Sequence, residues 1–136
     1  MTSASQHRLT ADDSWEQAHK ASSMTPLWEQ AGLLLETVGP RFTAAGVGVS
    51  DARTVRRGRD DRVEPRDYAE QQRLRLLFWV VKAIIGVYGT GSVAAGFLRS
   101  ANPQLDDEAP IVLLGTGDPD KIQKDLLAAT RAFLEG

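Results

Sequence analysis

Residues 73–99 read RLRLLFWVVKAIIGVYGTGSVAAGFLR. Eleven of the fourteen positions from Leu74 to Val87 are apolar, and only Arg75, Lys82 and Gly86 interrupt them. A surface helix needs one apolar stripe, so a helix that is apolar on most of its circumference belongs inside a protein. The run is too short and too charged to span a bilayer, which takes about 20 apolar residues. It reads as the central helix of a small α-domain. Gly89-Thr90-Gly91 stops it, because glycine just past the last turn is a common helix end. Ser92 is then the expected cap of a second helix carrying Val93, Ala94, Phe97 and Leu98.

Upstream of this run, Pro65 is expected in the first turn of the helix, with Asp67, Tyr68, Gln71 and Leu74 leading into the central run. Further back, Leu27, Trp28, Ala31, Leu34, Leu35 and Val38 recur at three- and four-residue spacing. With Thr25 as cap and Pro26 at the first position, they predict an amphipathic helix ending near Gly39-Pro40. Residues 1–24 are polar and predict a flexible tail with a turn or two of weak helix around Trp15 and Ala18. Downstream, Ser100 to Pro110 reads as loop, Pro110 to Leu114 as a short apolar turn or helix, and Pro119 to Leu134 as a last helix capped by Asp118. Strict alternation of apolar and polar residues occurs nowhere, so the predicted fold class is all-α.

The chain has 136 residues, 42% of them hydrophobic and 25% charged, a globular composition with enough apolar surface for one core. Net charge is −2, but it is unevenly spread. Seven Arg face four acids between Arg41 and Arg66, whereas seven acids face three Lys or Arg from Ala101 onward. A basic middle and an acidic end imply two surfaces with different partners. The absence of cysteine excludes disulfides, thiolate catalysis and cysteine-ligated metals. No apolar signal core opens the chain, which makes cytoplasm the expected location.

Phe42 to Arg59 has the layout of a helix-turn-helix: a short helix with Phe42, Ala44 and Ala45, a turn at Gly46-Val47-Gly48-Val49, and a second helix from Ser50, its expected N-cap, to Arg57, ended by Gly58. Ser50, Arg53, Thr54, Arg56, Arg57 and Arg59 are the candidate DNA-binding residues. A helix in the major groove needs cations for phosphates and Arg for guanine. The alternative is a solvated basic turn. The glycine clusters at Gly89 to Ser92 and Gly115 to Asp118 lack the lysine and the preceding strand of a phosphate loop, and read as helix stops. His7 and His19 fall in no metal-ligand or triad spacing. Asp106-Asp107-Glu108 reads as a solvated acidic loop. No metal, cofactor or catalytic constellation is expected, and the chain is not expected to be an enzyme.

From Leu77 onward the order of features resembles the Xre/MbcA/ParS antitoxins of bacterial type II toxin–antitoxin pairs. Leu77 to Ile85 corresponds to the family's apolar helix, Gly89 to its break and Phe97-Leu98 to its aromatic-Leu pair. Asn102-Pro103-Gln104-Leu105 matches its Asn-Pro-x-Leu loop. Pro110, Leu113-Leu114, Gly117 and the helix Ile122 to Leu134 follow in the same order. Gly48-Val49-Ser50 with Arg53-Thr54-Val55 and Arg57 is similar to the family's degenerate Xre-type helix-turn-helix. Three positions depart: Phe97 stands for a Trp, Asp106-Asp107-Glu108 for a loop containing Gly-Gly, and no Trp stands near Gly58.

The resemblance implies an antitoxin that blocks a RES-domain toxin, an NAD-consuming enzyme, and represses its operon by binding operator DNA. The alternative is a stand-alone helix-turn-helix regulator without a toxin. The implied division is a tail over 1–24, a helix-turn-helix-like region over 25–72 and a helical toxin-binding domain over 73–136. The implied toxin-binding residues are Asn102, Pro103, Leu105 and Pro110 in the loop and Phe133, Leu134, Glu135 and Gly136 in the tail. A homodimer or higher assembly is expected because the central run looks too apolar for so small a chain to cover. No membrane is expected among its partners.

Overall fold

The computed structural model describes residues 8–136, and within them the chain is all-α. Eight helices run in order: α1 (Ala11–Met24), α2 (Leu27–Thr37), α3 (Pro40–Val47), α4 (Ala52–Asp61), α5 (Tyr68–Tyr88), α6 (Gly91–Arg99), α7 (Pro110–Thr116) and α8 (Pro119–Glu135). A single 3-10 turn at Pro103–Leu105 interrupts the connection from α6 to α7. Among the described residues no helix is long and apolar enough to cross a membrane.

Helix α5 is the element the others surround. Asp67 sets its start, accepting a hydrogen bond from the Glu70 N–H at 3.1 Å. The helix therefore begins after Pro65, whose carbonyl instead accepts from Gln71 Nε2. Gly89, at φ 84°, ends it and returns its N–H to the Ile85 carbonyl at 2.7 Å. Leu77, Val80, Val81, Ala83 and Ile84 are fully buried, as an all-round apolar helix requires. They are covered by helices of the same chain: α1, α2, α3, α6 and α8 all pack on α5. The buried face of the central run is thus covered by the chain's own helices.

Arg73, on the second turn of α5, finishes α7. Its Nε donates to the Leu114 carbonyl at 3.1 Å and its Nη2 to the Gly117 carbonyl at 3.0 Å. The last carbonyls of a helix have no intrahelical donor, and a guanidinium there also suits the helix dipole. The core draws buried apolar residues from all eight helices, from Ala18 in α1 to Leu134 in α8. Residue 73, the expected boundary between two regions, falls inside α5.

The expected flexible tail is corrected over most of its length. Residues 11–24 form α1, four turns of helix capped by Thr10, whose side chain accepts from the Asp13 N–H at 3.1 Å. Met1 to His7 lie outside the described residues. Ser14, Ala18 and Ser22, four apart, form the buried stripe of α1. They bring it so close to α5 that a side chain at Gly86 would collide with Ser14. Ser14 Oγ donates to the Ala83 carbonyl at 2.6 Å. At the flank, His19 stacks on Trp79 with ring centres 4.2 Å apart, and Trp15 lies 5.0 Å from the same ring. The stripe is built of small and partly polar residues, so apolar periodicity hardly marks it. Only tertiary contact makes it a buried helix.

Candidate functional site

Three segments carry the expected contacts: the α3–α4 pair, the loop between α6 and α7, and the last residues of α8. Helices α3 and α4 are joined by four residues, Gly48 to Asp51. Gly48 takes the left-handed conformation, φ 87° and ψ 23°, and bonds back to the Ala44 and Ala45 carbonyls at 3.0 and 3.2 Å. A residue with a Cβ would be strained there. Asp51, rather than Ser50, caps α4, accepting from the Arg53 N–H at 2.8 Å. Its second oxygen takes the Arg53 Nε at 2.9 Å. These bonds hold the Asp51 carboxyl below the usual carboxylate range and push the Arg53 guanidinium up. Helix α4 runs past Gly58 to Asp61, and Arg62 closes it in the left-handed conformation at φ 56°.

Val55 is the one buried side chain of α4. The exposed surface away from it presents Arg53, Thr54, Arg56 and Arg57, with Ser50 exposed at its N-terminal end. Arg59 is the exception among the expected contacts. It falls one turn after Val55, its stem lies against Gly32 of α2, and its Nε donates to Asp60 at 2.9 Å. The spacing that puts Arg53 and Arg57 on one face turns Arg59 toward α2. An exposed cationic helix after a tight turn can lie along a phosphate backbone and bring arginines to base edges.

In the second segment, Asn102 organises the loop. Its side-chain oxygen accepts from the Gln104 N–H at 2.9 Å, and its carbonyl accepts from the N–H groups of Leu105 and Asp107, both at 2.9 Å. Its own N–H donates to the Glu108 carbonyl at 3.2 Å. Asp106 and Asp107 are both left-handed, at φ 56° and 65°. Leu105 and Pro110 are buried anchors, while Pro103 and the carboxylates of Asp106, Asp107 and Glu108 are exposed. Of the four loop residues expected to touch a partner, Pro103 is the one that stands in solvent. The other three shape the loop from behind.

The last segment divides. The Phe133 ring packs against Phe97 and Tyr88, with ring centres 4.8 and 5.4 Å away, and Leu134 is buried. Glu135 and Gly136 are exposed. Arg131 ties this end of α8 to α1: its Nε donates to Glu135 at 3.1 Å, its Nη2 pairs with Asp12, and its guanidinium lies over the Trp15 ring. Phe133 and Leu134 therefore serve the chain's own core, and the two residues after them are presented outward.

Sequence reasoning assigned Asp106 and Asp107 only a solvated loop; their backbone conformation is invisible in residue type, since aspartate also sits in ordinary turns. Among the described residues, no group of three or more His, Cys, Asp or Glu side chains could hold a metal ion. No protein-family model, no curated protein and no solved structure matches the chain.

Proposed function

We propose that this chain is an antitoxin of the Xre/MbcA/ParS type, a cytoplasmic protein without catalytic activity. It binds and blocks a RES-domain, NAD-consuming toxin and represses its own operon by setting α4 against operator DNA as a homodimer or higher assembly. The observation that carries the reading is the Asn102–Glu108 loop. The resembled family has a Gly-Gly-containing loop where Asp106-Asp107-Glu108 stands, and here Asp106 and Asp107 hold the left-handed backbone that glycine serves best. Two left-handed positions suit a glycine-bearing loop, which supports the resemblance despite the departure in residue type. The α3–α4 pair supports the second activity, with three unburied arginines on the outward side of α4.

The test is to look for a RES-domain protein encoded beside this chain and to co-express the two; the absence of one favours the stand-alone regulator. NAD falls in cells making that protein alone and stays level when this chain is added. NAD falling in both cases would refute the antitoxin. The stand-alone regulator is then the remaining reading, and one observation favours it: Phe133 and Leu134, expected to reach a toxin, are already engaged in the chain's own core.

A further inference from the structure

Between α2, α4 and the first turns of α5 lies a cavity of about 300 Å³, within the range of small-molecule sites. It exists because α4 packs on α2 and α3 rather than on α5, and sends only Val55 inward. Leu27, Ala31, Val47, Val55 and Leu74, all buried, form the wall. Val63, in the loop after α4, stands at the mouth as an apolar side chain that is 54% exposed.

Glu70 borders this wall and is half-buried. Asp67 and Glu70 have the spacing of a capping box, in which the glutamate reaches back to the N–H of the capping residue. Only the Asp67 half forms here, and among the described residues the Glu70 carboxylate has no hydrogen bond or ion pair. Arg59 also borders the cavity, but its guanidinium is engaged by Asp60. Arg57 and Arg66 are exposed at the mouth, with their charge in water. Asp61 and Glu64 also line the cavity and are exposed, so among its charged side chains Glu70 is the half-buried one without a partner.

We propose that this cavity is a binding site for a small amphipathic amine. A body the size of one aromatic ring seats on the wall, and its ammonium group pairs with Glu70. Once bound, it fills the space behind α4 and braces that helix. The proposal stands whether or not α4 contacts DNA and whether or not a toxin exists, because it is read by binding alone.

The test is titration of the full chain with 2-phenylethylamine, followed by amide NMR. Saturable shifts at Ala31, Val55 and Leu74 are expected, with a dissociation constant of about a millimolar or below. The carboxylate of equal bulk, 3-phenylpropanoate, should bind at least about tenfold more weakly, and Glu70→Gln should weaken the amine by a similar factor. Ala31→Leu, which fills the wall, should abolish saturation; because that variant could unfold, Glu70→Gln is the deciding one. No saturable shift, equal binding of the carboxylate, or an unchanged affinity in Glu70→Gln would each overturn the proposal.

Discussion

The Tyr88 hydroxyl, at the end of α5, donates a 3.0 Å hydrogen bond to the Phe133 carbonyl in the last turn of α8. The same carbonyl also accepts a longer bond, 3.3 Å, from the Gly136 N–H three residues on. The bond pins the end of α8 to the central helix, and the Phe133 ring closes over Phe97 beside it.

Truncation of this end is expected to cost stability before it tests inhibition. Deleting residues 133–136 removes two apolar side chains worth roughly 1.5–3 kcal/mol each when fully buried, and less for the half-exposed Phe133. Tyr88→Phe should cost about 0.5–1.5 kcal/mol through the missing bond. Thermal unfolding checks both. Glu135→Ala, by contrast, should stay within about 0.5 kcal/mol of the parent, so weaker toxin binding by that variant would be a direct interface effect. An unchanged midpoint on deletion would show that α8 does not depend on its last turn.

The arginines of α4 separate by face. Replacing Arg56 and Arg57 together by Ala should weaken operator binding and lower the log–log salt slope by about 0.9 for each phosphate no longer neutralised. Arg59→Ala should leave that slope unchanged, since Arg59 lies against α2. Fluorescence titrations at two salt concentrations measure this. Equal effects of the two variants would contradict the orientation of α4.

Helix α1 is held by a close approach, so enlarging Gly86 should drive it off. Gly86→Val places a branched side chain where Ser14 sits, with an overpacking cost of about 1–3 kcal/mol. Circular dichroism should lose helical signal, and the emission of Trp15 and Trp79 should shift to the red. A variant with parental spectra would mean that α1 slides without loss.

Asp106 and Asp107 carry positive φ without glycine's freedom. A left-handed conformation costs an ordinary L-residue roughly 1–2 kcal/mol, less for Asp. Asp106→Gly and Asp107→Gly are therefore each expected to stabilise the chain by a few tenths to about 1 kcal/mol, net of the added entropy of the unfolded state. A lower melting temperature in both would show that the carboxylates stabilise the loop in some other way.

Legibility in the sequence followed the size of the residues that make each contact. The apolar runs of α2, α5 and α8 announced themselves, and Asp118 caps α8 as its position implied, accepting from the Asp120 N–H at 3.0 Å. Neighbouring polar residues were harder to rank: Asp51 displaced Ser50 as the cap of α4 because its second oxygen can also engage Arg53. Helix α1 was hidden because serine and alanine stripes carry little apolar signal until a partner such as Gly86 lets them close. Among the candidate DNA-facing residues, the outward set Arg53, Arg56 and Arg57 follows from helical spacing once Val55 is placed inside. The burial of Leu134 does not, since α8 could have presented that residue to a partner as readily as to α5.

Because nearly every helix leans on α5 while α4 is fastened by one buried side chain, the chain has a built-in order of opening. Amide protons of Leu77 to Ile84 should exchange with deuterium only when the whole molecule unfolds. Those of Val55 to Asp61 should exchange through excursions of α4 alone, on a far shorter timescale. The segment bearing the exposed arginines is thereby the one that can change its angle without disturbing the rest.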